Sequence, residues 1–282
     1  MSYSINAGGR LLDLSTPVVM GILNATPDSF YAGSRTQTEA EIARRVRQIV
    51  DEGAAIIDIG AYSSRPGADD VPADEEMQRL RHALAIVRRE VPDAIISIDT
   101  FRADVARRCV EEEGAHIIND ISGGLLDKNM FRTVARLGVP YILMHIQGTP
   151  RTMQLHPHYD NLEQEVFLFL SERVDRLRSL GVRDIILDPG FGFGKTLAHN
   201  YELMNHLEDF AEFDLPLLVG ISRKSMIYRL LGGTPDDALG GTIALNTVAL
   251  LKGTHILRVH DVRAAVETVR IVQALRGNVT AS

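Results

Sequence analysis

Eight short apolar runs divide this chain, and the segments between them have helical periodicity. Each run ends in, or just before, polar residues. The runs are residues 18–24, 55–60, 95–100, 116–120, 141–145, 185–190, 217–222 and 256–260. Strands that alternate with helices form parallel sheets, and eight such units close into a (β/α)8, or TIM, barrel. The sequence therefore predicts an α/β barrel with its functional residues at the carboxyl ends of the strands.

The length supports a single domain. Eight strand–helix units over 282 residues fit one barrel of about 250 residues, and no linker interrupts the pattern, so we expect one domain over residues 1–282. Residues 3–15 carry two small apolar clusters around Gly8 and Gly9. We interpret this segment as a β-hairpin that closes the bottom of the barrel, at the amino-terminal ends of the strands.

Charge, apolar-run length and cysteine content argue against nucleic-acid binding, membrane insertion and thiol chemistry. The formal net charge is −7, from 30 Lys and Arg against 37 Asp and Glu, which argues against a broad nucleic-acid surface but leaves room for a local basic pocket. No run approaches the length of a membrane span, and the first ten residues lack a signal core. We expect a cytoplasmic protein with no nucleic-acid or membrane partner, whose one cysteine, Cys109, is a buried, unreactive thiol.

The segment DPGFGFGKT, residues 188–196, invites comparison with a phosphate loop. A phosphate loop needs glycine five positions before its lysine, and Pro189 stands there relative to Lys195. The glycines also lack the gap of a dinucleotide fingerprint. We interpret the segment as a barrel loop in which the backbone approaches a flat ligand, Phe193 packs on it and Asp188 points into the pocket. Capping of the following turn is the alternative role for Asp188.

Two cationic segments fall on the last two strands. GISRKS, from Gly220 to Ser225, ends the seventh run, and LRVHD follows it with Arg258 and His260 on one side of a strand. Barrels often bind phosphate in the loops after strands seven and eight. The two segments predict a local anion site. The alternative is an ion pair inside the barrel, because a buried arginine needs either a carboxylate or an anionic substrate.

Uncharged and acidic polar residues end four other strands. Asn24, Asp99, Asn119 and Asp188 are expected to converge at one mouth. Asparagine both donates and accepts hydrogen bonds, whereas aspartate accepts them. This set suits a heterocycle with amide and amidine edges better than a sugar or a bare phosphate.

Motifs along nearly the whole chain resemble the dihydropteroate synthase family. They are GILNATPDSF (21–30), SRPG (64–67), SIDT (97–100), IINDISG (117–123), LMHIQGTPRTMQ (143–154), DPGFGFGK (188–195), VGISRKSMI (219–227) and LRVHDV (257–262). The resemblance implies a homodimeric barrel enzyme, a transferase of folate biosynthesis. Such enzymes join (7,8-dihydropterin-6-yl)methyl diphosphate to 4-aminobenzoate and release diphosphate, with Mg²⁺ as cofactor.

The resemblance also implies a role for each matching residue. Asp188 would bind the amino and ring N–H edge of the pterin, Asn119 and Asp99 its other ring nitrogens, and Lys224 its carbonyl and the 4-aminobenzoate. Arg258 would hold the diphosphate. The other implied substrate-binding residues are Ser64, Arg65, Pro66, Ile121, Met144, Phe193, Gly220, Ser222, Arg223 and His260.

The resemblance further implies that catalysis rests on four residues: Asn24, Asp99, Lys224 and Arg258. Asn24 would ligate Mg²⁺ beside the diphosphate, and Arg258 would share in neutralising the leaving group. Asp99 would stabilise the pterin-methylene cation that remains, and Lys224 would fix the amine that attacks it. No protein nucleophile is needed.

Two long loops, residues 26–37 and 61–72, are predicted lids over this site. Both depart from the common family pattern. Tyr62 stands where a glutamate is usual and Ser64 where a threonine is usual, while Ala32 and Ser34 replace an aspartate and a glycine. These changes bear on affinity for 4-aminobenzoate and its analogues.

Two other functions share part of this pattern. A folate-dependent methyltransferase that serves a corrinoid would use the same pterin-binding residues but would not need the anion site. A non-catalytic pterin-binding protein would bind the pterin without turnover. The predicted anion site favours diphosphate chemistry.

Overall fold

The computed structural model describes residues 3–25, 35–62 and 71–277, without the side chains of residues 35–38. The strands are β1 (Ser4–Ala7), β2 (Arg10–Asp13), β3 (Val18–Asn24), β4 (Ile56–Gly60), β5 (Ile95–Asp99), β6 (Ile117–Asp120), β7 (Tyr141–Met144), β8 (Ile185–Asp188), β9 (Leu218–Val219) and β10 (Ile256–Val259). The α-helices are α1 (Arg35–Asp51), α2 (Ala73–Glu90), α3 (Ala103–Glu111), α4 (Met130–Leu137), α5 (Leu162–Ser179), α6 (Leu197–Asn205), α7 (Ser225–Leu231), α8 (Leu239–Leu251) and α9 (Val262–Leu275). In the same described residues, 3₁₀ helices span Leu207–Phe213 and Pro235–Ala238.

Strands β3 to β10 form one parallel sheet that closes on itself. From β3 to β8 each strand pairs with the next, and β10 pairs with both β3 and β9. A parallel bridge between Leu187 and Leu217 joins β8 to the residue before β9. The predicted eight-stranded barrel is confirmed, and its strand carboxyl ends meet at one mouth.

The helices cover the outside of the barrel with apolar stripes. In α2 the buried residues Met77, Leu80, Leu84 and Val87 recur at helical spacing and belong to the core between helices and strands. Within the described part of the chain, no helix combines the length and apolar character needed to cross a membrane.

The N-terminal hairpin closes the bottom of the barrel, as predicted. β1 and β2 pair antiparallel, and Ile5, Ala7 and Leu14 are buried. They pack in one cluster with a ring of residues from the strand starts: Met20, Ile56, Ile117, Ile142, Ile186, Leu218 and Ile256. The hairpin therefore seals the end opposite the mouth.

The seventh barrel strand is much shorter than its apolar run. Residues 217–222 are predicted as strand, yet β9 contains only Leu218 and Val219. The chain turns directly afterwards: the backbone N–H of Lys224 donates to the carbonyl of Ile221 at 3.1 Å, and Arg223 adopts a φ of 55°. The polar residues of this run thus lie on a turn at the mouth.

Cys109 is buried in α3, with its Sγ 3.8 Å from Sδ of Met77. Burial raises the pKa of this thiol to about 12. The expectation of an unreactive core cysteine is confirmed.

Candidate active site

The mouth of the barrel holds a cavity of about 340 Å³ that opens to solvent. It brings together every predicted site residue that the structure describes, and adds Ile22 and Tyr62. The lining residues are Ile22, Asn24, Tyr62, Asp99, Asn119, Ile121, Met144, Asp188, Phe193, Gly220, Ser222, Arg223, Lys224, Arg258 and His260. Their shared position follows from the parallel strands, whose carboxyl ends all face one side.

Most of both predicted lids lies outside the described residues. Ser64, Arg65 and Pro66 of the second lid fall there, as do Ala32 and Ser34 of the first. Tyr62 at the start of the second lid is described. Its ring meets Phe101 edge-on, with ring centroids 5.0 Å apart.

Two carboxylates hold Arg258 at the base of the cavity. Its Nε donates to Oδ2 of Asp58 at 2.7 Å, and its Nη2 donates to Oδ2 of Asp99 at 2.7 Å. Of the two partners that the sequence left open for this arginine, carboxylate or substrate, the structure thus supplies a carboxylate pair. The guanidinium is oriented before any ligand arrives.

Asp58 is the site residue that the sequence analysis missed. It lies in the middle of β4 with its side chain fully buried, and its Oδ2 also accepts a 3.1 Å hydrogen bond from Nδ2 of Asn119. The signal was present, because a charge inside an apolar strand needs a partner. Asp58 therefore links Asn119 to Arg258.

Asp99 is subject to two opposing influences, burial and its ion pair with Arg258. Burial raises its pKa to about 7, against the opposing effect of Arg258, and the nearby Asp58 carboxylate adds to the rise. About a fifth of its side chain stays exposed. The ion pair with Arg258 favours the charged carboxylate against the effect of burial.

Asp188 and Lys224 form the second charged part of the site. Burial raises the pKa of Asp188, and the nearby Lys224 charge opposes this rise. Burial lowers the pKa of Lys224 to about 8, and the nearby Asp188 carboxylate opposes this fall. Nζ of Lys224 donates to the carbonyl of Phe191 at 2.5 Å and lies 4.7 Å from the ring centroid of Phe193. An acceptor and a donor thus flank an aromatic wall, as a flat heterocycle requires.

His260 lies beside Arg258 in the cavity, and its surroundings favour the neutral ring. Burial, aided by the Arg258 charge, lowers its pKa to about 4. Oγ of Ser222 accepts from the backbone N–H of His260 at 3.1 Å and lies 3.1 Å from its Nδ1. A hydroxyl that donates to Nδ1 leaves Nε2 as the N–H donor of the ring.

Arg223 lines the cavity, but its charge is already neutralised. Its Nε and Nη2 donate to the two carboxylate oxygens of Asp261 at 2.8 and 2.9 Å. Its backbone N–H donates to Oγ1 of Thr242 at 3.1 Å, which holds the residue at its positive φ. Like Arg258, Arg223 is therefore already paired with a carboxylate at the predicted anion site.

Asn24 is the one residue predicted to bind a metal, and it lies exposed at the end of β3 in the cavity wall. An amide oxygen on an open wall fits Mg²⁺, which takes oxygen ligands and keeps few from the protein. In the described residues, the one cluster of His and acidic groups within ligand reach of one another is Glu163, His206 and Asp209, which does not line this cavity.

Comparisons with known proteins agree with this geometry. Residues 20–260 match the family described as pterin binding enzyme. The chain is 44% identical over 270 residues to dihydropteroate synthase of Escherichia coli K12, covering 95% of both chains. It is 41% identical to the dihydropteroate synthase of Yersinia pestis solved with a sulfonamide drug, at a TM-score of 0.89 over 98% of this chain and 100% of that one. It is 38% identical to the Xanthomonas albilineans enzyme solved with 4-aminobenzoic acid, at a TM-score of 0.87 over 98% and 99% of the two chains.

Proposed function

Because this chain belongs to the pterin-binding enzymes, and within them to the dihydropteroate synthases, we propose that its cavity residues divide the work of joining a pterin to an arylamine. The enzyme is a transferase. It condenses (7,8-dihydropterin-6-yl)methyl diphosphate with 4-aminobenzoate to give 7,8-dihydropteroate and diphosphate in tetrahydrofolate biosynthesis. The observation that carries the residue roles is the convergence of Asp99, Asn119, Asp188, Lys224 and Arg258 on one cavity.

The pterin ring would lie against Asp188 and Phe193. The buried carboxylate of Asp188 accepts hydrogen bonds, so it would bind the amino group and ring N–H of the pterin. Asn119, held by Asp58, would bind the remaining ring nitrogens together with Asp99. Ile121, Met144 and Phe193 supply the apolar walls that a flat ring needs.

The diphosphate would lie between Arg258 and His260. A guanidinium has five N–H donors, and the described ion pairs use one on Nε and one on Nη2. The remaining N–H groups of Arg258 can donate to phosphate oxygens, and Nε2–H of His260 would add a neutral donor. Asn24 would hold Mg²⁺ beside the same oxygens, and the ion when bound would neutralise charge on the leaving group.

The reaction needs positioning and electrostatics from the protein, with no covalent intermediate on it. The bond between the methylene carbon and the diphosphate oxygen breaks, and its electron pair leaves with the diphosphate. The pterin spreads the positive charge that remains on the methylene, and the carboxylate of Asp99 would stabilise it. The amine lone pair of 4-aminobenzoate then forms the C–N bond, and the nitrogen releases a proton.

The arylamine would lie toward the turn after β9. Lys224 would attract its carboxylate, and Ser222 would contact the same group while its hydroxyl bridges to His260. The second lid would complete this subsite through Ser64, Arg65 and Pro66, as the resemblance implies.

Assembly and location are proposed from the resemblance to the family. We expect one domain over residues 1–282, a homodimer through outer helices near the C-terminus, and a cytoplasmic enzyme. In α8, Val248 and Leu251 expose apolar side chains that such an interface would cover, whereas Leu245 packs partly against the core.

The test of these roles is pterin binding by Asp188→Asn. Calorimetry with 6-hydroxymethyl-7,8-dihydropterin should show a loss of about 2–4 kcal/mol in binding free energy, because a charged acceptor is removed from a buried pair. Asp175→Asn, which alters an exposed carboxylate on α5 outside the cavity lining, should bind the pterin normally. Normal affinity in Asp188→Asn would refute the assignment.

A further inference from the structure

The backbone carbonyls of the glycine loop, residues 190–194, are all held by side chains. Each of the five accepts a hydrogen bond from a side-chain donor. Gly190 and Phe193 accept from Lys195 at 2.9 and 3.2 Å, Phe191 from Lys224 at 2.5 Å, Gly192 from Gln154 at 2.6 Å and Gly194 from Tyr159 at 2.8 Å. A loop with three glycines has much backbone freedom to lose, and these five contacts fix it in one conformation.

Lys195 makes two of those contacts and is itself enclosed. Its side chain is buried, and Nζ also lies 2.8 Å from Nδ1 of His145. Burial lowers the pKa of His145 well below its usual range, so the ring is neutral and can accept. Nζ therefore contacts two loop carbonyls and one imidazole nitrogen. Burial lowers the pKa of Lys195 to about 7, and the nearby Asp188 carboxylate opposes this fall.

Gly190 connects this lysine to Asp188, whose carboxylate is proposed to bind the pterin. The backbone N–H of Gly190 donates to Oδ1 of Asp188 at 2.8 Å, while its carbonyl accepts from Lys195. Gly190 has a φ of +72°, and a Cβ built on it would lie 1.8 Å from the carbonyl oxygen of His145. With Gly190 packed this closely, its position sets the direction in which the Asp188 carboxylate points.

We propose that Lys195 is a positioning residue for the pterin subsite. It holds Gly190 and Phe193 in place, so that the carboxylate of Asp188 and the ring of Phe193 face the pterin. This inference rests on the pterin-binding role proposed for Asp188. Lys195 itself does not line the cavity and touches no substrate in this scheme.

The test compares Lys195→Met with Tyr159→Phe, a variant that loses one hydrogen bond at the far end of the same loop. Lys195→Met keeps an unbranched apolar chain and removes all three donors. Tyr159→Phe keeps its ring and removes only the contact to Gly194. Measurements are the KM for the pterin diphosphate, kcat, and calorimetric affinity for 6-hydroxymethyl-7,8-dihydropterin, with thermal unfolding to verify folding.

Lys195→Met should raise the pterin KM and dissociation constant by about 10- to 100-fold, because a small misplacement of binding groups is costly, and should change kcat less. Tyr159→Phe should stay within about twofold on each, since it leaves Gly190 tied to Lys195. If Lys195→Met does not fold, Lys195→Gln, which retains two N–H donors, should still weaken pterin binding more than Tyr159→Phe does.

Two outcomes would overturn the inference, and Asp188→Asn in the same assays separates them. If Asp188→Asn loses the pterin while the Lys195 variants bind it as tightly as Tyr159→Phe does, Lys195 does not position the subsite. If Asp188→Asn binds normally, the proposed role of Asp188 fails first, and the inference that depends on it fails with it.

Discussion

Nε of Arg258 donates a 2.7 Å hydrogen bond to Oδ2 of Asp58, a residue 200 positions earlier in the chain. The Asp58 side chain is fully buried, and a fifth of the Arg258 side chain is exposed. Burying two charges is favourable only when they are paired and hydrogen-bonded. Loss of either partner would leave the other charge uncompensated, so the pair holds the guanidinium toward the position proposed for the diphosphate.

Asp58→Asn should lower the free energy of unfolding by about 1–3 kcal/mol, because it removes a charged partner from a buried arginine that retains only Asp99. Urea denaturation measures this. The control is Asp261→Asn, which weakens the more exposed pair with Arg223 and should cost about 0–1 kcal/mol. Equal losses in the two variants would mean that burial of the Asp58 pair contributes little.

Lys224 should give the enzyme an alkaline limit near pH 8. Burial lowers its pKa from the usual lysine value to about 8, so the ammonium loses its proton as the pH rises through that value. The kcat/KM for the pterin diphosphate should fall over the same interval, since only the charged form attracts both substrates. Steady-state rates across pH measure this decline, which is the alkaline limb of the pH profile.

Lys224→Arg is the matched variant for this limb. Its guanidinium keeps its charge throughout the range, so the decline near pH 8 should disappear even if the maximal rate is lower. Lys195→Met should keep the decline. Persistence of the same limb in Lys224→Arg would assign it to another group.

The sequence was sufficient for the barrel and for most of the cavity wall, because both follow from where apolar runs stop. Strand-end residues such as Asn24 and His260 need no partner information to be placed at the mouth. The length of β9 was overestimated because an apolar run cannot reveal where strand pairing ends. Gly220 and Ile221 belong to the apolar run but do not pair with β10.

What the sequence could not supply was the choice of partner. Arg258 needed an anion on any reading, but its pairing with Asp58 depends on the register of strands far apart in the chain. The neutral state of His260 arises from burial and a nearby charge that only the folded chain creates. The contact of Lys195 with His145 was invisible for the same reason, as it joins the glycine loop to the residue after β7.

Gly190→Ala should destabilise the protein by about 3 kcal/mol or more. Its added methyl group would collide with the backbone of His145, and the backbone conformation itself is unfavourable for alanine. Gly181→Ala is the control: its φ is also positive, at +87°, but nothing lies within 4 Å of the added Cβ. That variant should cost about 1–2 kcal/mol. Similar urea midpoints for the two would contradict the close packing at Gly190.

Ile5→Ala should lower the free energy of unfolding by about 2–5 kcal/mol, because it opens a cavity in the hairpin that seals the barrel bottom. Leu11→Ala in the neighbouring strand β2 removes a side chain that is 75% exposed and should change stability by less than about 0.5 kcal/mol. Both should retain the wild-type KM values, since neither residue lines the mouth. A large loss from Leu11→Ala would show that this surface packs against something else.

The most direct test of the site is product formation by Lys224→Ala. Purified enzyme would be given dihydropterin-methyl diphosphate, 4-aminobenzoate and Mg²⁺, and dihydropteroate and diphosphate would be followed together. The unmodified enzyme should release the two products in equal amounts. Lys224→Ala should lose about 100-fold or more in kcat/KM, whereas Lys252→Ala, a lysine outside the cavity lining that binds Glu208, should be unaffected. Turnover by Lys224→Ala within a few-fold of the unmodified enzyme would contradict the proposed site.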